Sequence, residues 1–116
     1  MHELSLINAL LDIVDLYDRK EGFARVNSLK LSFGRLSGID PGALKFAFEI
    51  QSQGTKAAGA DLEFDIRPVV VYCLRCERQH TLELYQYPES CPDCLGGSIV
   101  MTNGTESLQL LEMDVD

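Results

Sequence analysis

Apolar residues return every three or four positions at the start of the chain. Leu4, Ile7, Leu10, Leu11, Val14 and Tyr17 share one side, while Asp12, Asp15, Asp18 and Arg19 take the other. That period predicts an amphipathic helix over residues 4–20. Glu3 sits near the positive end of its macrodipole, Lys20 near the negative end, and Gly22 is a stop signal. The period then drops to two. Leu29, Leu31 and Phe33 alternate with Lys30 and Ser32, which predicts a strand over residues 24–33 followed by a turn-rich loop over 34–38. Asp40-Pro41 has the form of a helix start, with Asp40 as N-cap and Pro41 in the first helical position. The helix carries Leu44, Ala47, Phe48 and Gln51 on one face, with Phe46 and Ile50 expected to widen it, and Gly54 ends it.

A small-residue loop over residues 56–60 leads to the clearest alternation in the chain. Leu62, Phe64 and Ile66 face one way and Asp61, Glu63, Asp65 and Arg67 the other. This predicts one strand over residues 61–72, bulged or at an edge at Pro68, which has no N–H to give to a ladder. A short strand is expected over 81–87, with residues 99–101 as its partner, then a turn at Asn103-Gly104. Residues 107–115 are strand-like, but Leu108 and Leu110 are out of phase with Leu111, Met113 and Val115. A bulge near Leu110-Leu111 reconciles them. So apolar a strand needs a sheet larger than a thirty-residue module can offer, so it is expected to return to the first sheet. The order is helix, strand, helix, strand, module, strand. It predicts an α+β fold: a helix/strand domain of residues 1–70 plus 105–116, with a small module of residues 71–104 inserted before the last strand.

The module contains all four cysteines, in the pairs Cys73-Leu74-Arg75-Cys76 and Cys91-Pro92-Asp93-Cys94, with fourteen residues between them. Two thiolates at this spacing turn back onto one ion, and two such pairs complete a tetrahedral S4 shell that suits structural zinc. Iron suits the same shell, and two disulfides or free buried thiols are the alternatives. Arg75 and Arg78 place positive charge near sulfurs that must lose their protons to bind. Gly96-Gly97 leave room for backbone amides to face the sulfurs. A module this short buries little, so a metal should hold it together.

With 116 residues and 46 % apolar content, the chain can bury a core. Its formal net charge is −8, and an ion in a four-thiolate shell deepens that to −10. Nucleic acid is not expected as a partner; cation handling or a basic protein is. There is no basic leader and no apolar run of membrane length, and the cysteine usage fits a reducing compartment, so a cytoplasmic location is expected. There is no Cys–His nucleophile pair, no phosphate-binding glycine loop and no zinc ligand set with an open position, so an enzyme is not expected.

His2 is the remaining chemical feature. With the free amine of Met1 and the peptide nitrogen between, its imidazole can close small chelate rings on a metal. Ni(II) and Cu(II) favour planar nitrogen sets of this kind, and zinc does not. An incidental histidine at a terminus is the alternative.

Met1-His2-Glu3 at the start, Gly34-Arg35-Leu36-Ser37-Gly38-Ile39, Ala43-Leu44-Lys45-Phe46-Ala47-Phe48, both cysteine turns and a short acidic C-terminal strand occur in one chain. In that order and at this length the sequence resembles the HypA/HybF family of nickel metallochaperones, which serve nickel–iron hydrogenase maturation and in some bacteria urease. The resemblance implies nickel held by the Met1 amine, the backbone and ring nitrogens of His2 and the backbone nitrogen of Glu3. It implies structural zinc on Cys73, Cys76, Cys91 and Cys94. It further implies transfer with a maturation GTPase toward the hydrogenase large subunit. A weak homodimer is also expected, and no membrane partner. Leu95 departs from the pattern, since family members often carry Gly after the fourth cysteine; Gly96 is expected to take over that turn. His80 lies between the cysteine pairs, where it is an alternate zinc ligand or, as expected, a surface residue. Two other functions compete with nickel delivery: a zinc-ribbon interaction module with an inert terminus, and a rubredoxin-like electron carrier with iron at the cysteines.

Overall fold

The computed structural model describes residues 3–116. In chain order the elements are α1 (Glu3–Glu21), β1 (Val26–Gly34), α2 (Pro41–Gln51), β2 (Asp61–Arg67), β3 (Val69–Cys73), β4 (Arg78–Leu82), β5 (Ile99–Asn103) and β6 (Gln109–Val115). They form two three-stranded sheets, ordered β2-β1-β6 and β4-β3-β5. The chain divides into two units. One holds Ile39–Asp65 and Leu108–Asp116 together with the N-terminal segment through Ser32, and the other holds Phe33–Gly38 and Ile66–Ser107. No helix among the described residues is long and apolar enough to cross a membrane.

In the first unit, α1 buries Ile7, Leu10 and Val14, and α2 buries Leu44, Ala47 and Phe48. Val26, Leu29 and Leu31 of the central strand β1 complete this core, each with no exposed surface. Asp40 caps α2 as its sequence requires, its carboxylate accepting from the Gly42 N–H at 3.0 Å, with Pro41 in the first turn. Phe46 and Ile50 do not widen the buried face: they are 64 % and 48 % exposed, because the helix turns its remaining apolar surface outward. β6 returns to this sheet and pairs antiparallel with β1. Lys30 faces Glu112 and Leu31 faces Leu110, so Leu111 is the bulged residue. The bulge resolves the phase conflict of the sequence, with Leu110 and Met113 half-buried and Leu111 exposed.

Residues 61–72 are not one strand. The chain leaves the first sheet at Arg67 and enters the second at Val69. Pro68 stands at the break: without an N–H it cannot continue either ladder. In the second unit β3 is central and buries Val69, Val71 and Cys73. β4 pairs with β3 from Val69↔Leu82 to Cys73↔Arg78, and β5 pairs with the other edge of β3 from Val70↔Asn103 to Cys73↔Ile99. Two expectations are corrected here. The strand expected over 81–87 runs over Arg78–Leu82, and β5 pairs with β3, not with that strand. Short alternation marks a strand without naming its neighbour.

Candidate metal centre

Both cysteine pairs sit in turns of the same shape. β3 delivers Cys73, and the Glu77 N–H then reaches back to the Cys73 carbonyl at 2.8 Å. In the second turn the Leu95 N–H reaches back to the Cys91 carbonyl at 3.0 Å, and the Cys91 N–H binds the Gly96 carbonyl at 2.8 Å. The residue after the second cysteine takes the left-handed backbone in each turn: Glu77 at φ 56° and Leu95 at φ 61°. Gly96 therefore does not take over the turn at Leu95. Leucine itself adopts a conformation that costs a side-chain-bearing residue about 1–2 kcal/mol. Backbone amides face the sulfurs, from Cys76 to Cys73 Sγ at 3.3 Å and from Gly96 to Cys94 Sγ at 3.4 Å. A methyl on Gly96 would lie 3.4 Å from Cys94 Sγ and 3.8 Å from the Arg75 guanidinium, ordinary contact distances.

These turns bring Cys73, Cys76, Cys91 and Cys94 together, with all four sulfurs within 4.8 Å of one another. Cys73 and Cys94 Sγ are 3.7 Å apart, and Cys76 and Cys91 Sγ 3.8 Å apart. A disulfide would need about 2.05 Å. A tetrahedron of thiolates at the usual zinc–sulfur length of about 2.3 Å has edges of about 3.8 Å. The donor set and its spacing therefore fit zinc. Cys73 and Cys91 are fully buried.

Four sulfurs this close perturb one another's protons. Hydrogen bonding with Cys94, reinforced by burial, pushes Cys76 up to about 12, while the backbone N–H of Cys94 draws Cys91 down to about 7. A dication bound there stabilises all four thiolates, so uptake releases protons and weakens as pH falls. Around the sulfurs, Arg78 pairs with Asp93 of the second turn. His80 is corrected from surface residue to near neighbour of the centre. Its side chain is 11 % exposed, with Nε2 3.5 Å from Cys91 Sγ and Nδ1 4.0 Å from Asp93. Its place opposite Val71 in the β3–β4 ladder puts it there. Sequence spacing alone held no sign of that pairing.

The nickel ligands that the resemblance implies are Met1, His2 and Glu3. Met1 and His2 lie outside the described residues. Glu3 belongs to the first unit, in the first turn of α1. It lines a cavity of about 250 Å³ together with Leu4, Ala43, Phe46, Ala47 and Ile50. Arg35 carries no chemical signal in the sequence pattern around it. Its guanidinium donates to Glu83 at 3.3 Å and lies 4.9 Å from the centre of the Tyr85 ring.

The family model described as "Hydrogenase/urease nickel incorporation, metallochaperone, hypA" matches residues 1–115. Hydrogenase maturation factor HypA of Syntrophus aciditrophicus is 48 % identical over 116 residues, all of both chains. Hydrogenase maturation factor HybF of Salmonella typhimurium is 34 % identical, again over the full length of both. The solution structure of the Ni metallochaperone HypA from Helicobacter pylori shares the fold with a TM-score of 0.63 at 21 % identity, covering 99 % of this chain and 97 % of that one. A second solution structure of a HypA protein gives 0.69 at 22 % identity, covering 99 % and 96 %. The chain belongs to the HypA family of nickel-incorporation metallochaperones.

Proposed function

We propose that this protein takes up Ni(II) at its N-terminus and delivers it for maturation of nickel–iron hydrogenase, with urease as a second recipient. It does so as a binding protein and not as a catalyst. The observation that carries this reading is the extent of the family match, residues 1–115, within which Met1-His2-Glu3 falls. The nickel ligands are the Met1 amine, the backbone and ring nitrogens of His2 and the backbone nitrogen of Glu3. Planar nitrogen donors suit Ni(II). An amide at the head of a helix lies outside the i→i−4 ladder, so using the Glu3 nitrogen for metal costs α1 no hydrogen bond. Ligands at a chain terminus can be exchanged one at a time for those of a recipient.

Cys73, Cys76, Cys91 and Cys94 hold zinc, which keeps the second unit folded and is not cargo. Two of these cysteines are fully buried, which favours retention over release. The partners are a maturation GTPase and the hydrogenase large subunit, met in the cytoplasm, and a second copy of the chain associates weakly. The excess of acidic residues, 18 against 10 basic, suits both a cationic cargo and a basic partner surface. The test is nickel titration of the His2→Ala variant alongside its zinc content. Nickel binding should vanish while one zinc per chain remains. Unchanged nickel affinity would remove His2 from the site.

A further inference from the structure

The second unit includes a piece of chain that its own sequence neighbourhood does not supply. Phe33–Gly38, the end of β1 and the turn after it, belongs to this unit. Three backbone hydrogen bonds hold it: Gly34 N–H to the Glu106 carbonyl at 2.9 Å, Arg35 N–H to the Arg67 carbonyl at 2.9 Å, and Leu36 N–H to the Gly104 carbonyl at 2.7 Å. Gly34 and Gly104 make the approach possible. A methyl on Gly34 would collide with Gly104 and come within 2.6 Å of the Glu106 nitrogen, and Gly104 itself adopts φ 131°. Phe33 is buried to 1 % exposure.

The side-chain attachment is of a different kind. Arg35 reaches Glu83 and the Tyr85 ring, both in the segment between β4 and Cys91. That segment has no ladder of its own. One end follows the first cysteine turn through β4, and the other end is Cys91 itself. Its position therefore depends on the cysteines being drawn together. The Arg35 attachment is also weak as built. The Glu83 side chain is 85 % exposed and Tyr85 is 74 % exposed, and the buried Arg35 Nε has no hydrogen-bond partner among the described residues.

We propose that Phe33–Gly38 is a metal-tightened strap: Arg35 latches it to the 83–85 segment while the four cysteines hold an ion, and loss of the ion loosens it. The inference rests on the four-cysteine metal reading above. The strap takes in the last two residues of β1 and ends two residues before the Asp40 cap of α2. Zinc thereby does more than fold its own turns; it tightens the hold on Gly34-Arg35-Leu36.

The test is amide hydrogen exchange on the full chain with zinc bound and after removal by a chelator, with zinc content measured in both samples. On removal, the amides of Gly34, Arg35 and Leu36 should exchange about three- to tenfold faster, which converts to a loss of about 0.7–1.4 kcal/mol. Leu29 and Leu31, deeper in β1, should keep their protection. The latch is also cut from its exposed side by the Glu83→Gln/Tyr85→Ala variant, which leaves Arg35 and its buried stem in place. With one zinc still bound, this variant should raise exchange at the same three amides and not at Cys76 or Leu95. Unchanged strap exchange on verified zinc loss overturns the tightening, and a silent latch variant overturns the role of Arg35. A chain that takes up no zinc overturns the metal reading and the strap together.

Discussion

Replacing Gly34 with alanine tests a close backbone approach in the second unit. The new methyl would overlap the Gly104 peptide and lie 2.6 Å from the Glu106 nitrogen, and both obstacles are backbone. Comfortable carbon contacts begin at about 3.5 Å, so the segment must back away by about 1 Å. The bonds from Gly34, Arg35 and Leu36, now 2.7–2.9 Å, would then stretch beyond useful length. At about 1 kcal/mol each they account for a loss of about 3 kcal/mol. The exposed Arg35–Tyr85 contact adds about 0.5 kcal/mol, and the lower chain entropy of unfolded alanine returns about as much. The net expectation is about 3 kcal/mol, which at a urea slope of about 1–3 kcal/mol per M lowers the midpoint by at least about 1 M. Gly42→Ala is the control: in the first turns of α2 its methyl meets only the Asp40 carboxylate at 3.5 Å. It should be neutral or stabilise by up to about 1 kcal/mol. Urea unfolding of the zinc-loaded proteins measures both. A Gly34→Ala variant within about 0.5 kcal/mol of the parent would refute the close approach and the three bonds inferred from it.

Cys73→Ala or Cys91→Ala should disorder residues 73–94 while the amides of α1 and α2 stay protected from exchange; equal loss throughout the chain would show that the second unit cannot unfold by itself. Asp18 accepts from Lys56 Nζ at 3.0 Å and from the Phe23 N–H at 3.2 Å, and these bonds, Lys56 first, hold its carboxyl below the usual carboxylate range. A lowered folded-state value contributes stability that is complete above the unfolded value and fades as pH falls through the folded one. The stability advantage of the parent over Asp18→Asn, followed by urea midpoint from about pH 6 down to about pH 3, should therefore shrink on acidification. A gap independent of pH would deny the linkage.

Much of this structure was legible from residue patterns because local chemistry decides it. Asp40-Pro41 specifies a capped helix start wherever it lies, and the phase slip between Leu110 and Leu111 can be met only by a bulge. Two cysteine pairs at knuckle spacing leave the sulfurs little choice but to converge. What stayed hidden depends on partners distant in the chain. The alternation of residues 61–67 passes through Pro68 into the apolar run of 69–72, which reads as more of the same strand, and only the three-dimensional course shows that Pro68 divides two sheets. Phe46 and Ile50 carry the same apolar signal as Phe48, yet burial follows the face that meets the core, which period alone does not choose. Arg35 acquires chemical meaning only through Tyr85, far from it in sequence, and it takes the strand pairing with Val71 to move His80 from the surface to the side of the centre. The N-terminal nickel ligands are a different case: family resemblance and the chemistry of amine, peptide and imidazole nitrogens support them, with Met1 and His2 outside the described residues.

The amine of Met1 is where the central claim is most exposed. One or two residues added ahead of Met1 convert that amine to a peptide nitrogen while every side chain stays in place. A peptide nitrogen offers metal no lone pair until its proton is displaced, so the chelate loses its anchor. A site made of His2, Glu3 and another side chain would tolerate the change. Calorimetric nickel titration of the zinc-loaded native chain against a Gly-Ser-extended one separates the two cases. The expected result is a large loss of nickel affinity in the extended protein with one zinc per chain still bound; equal affinities would contradict an amine-anchored nickel site.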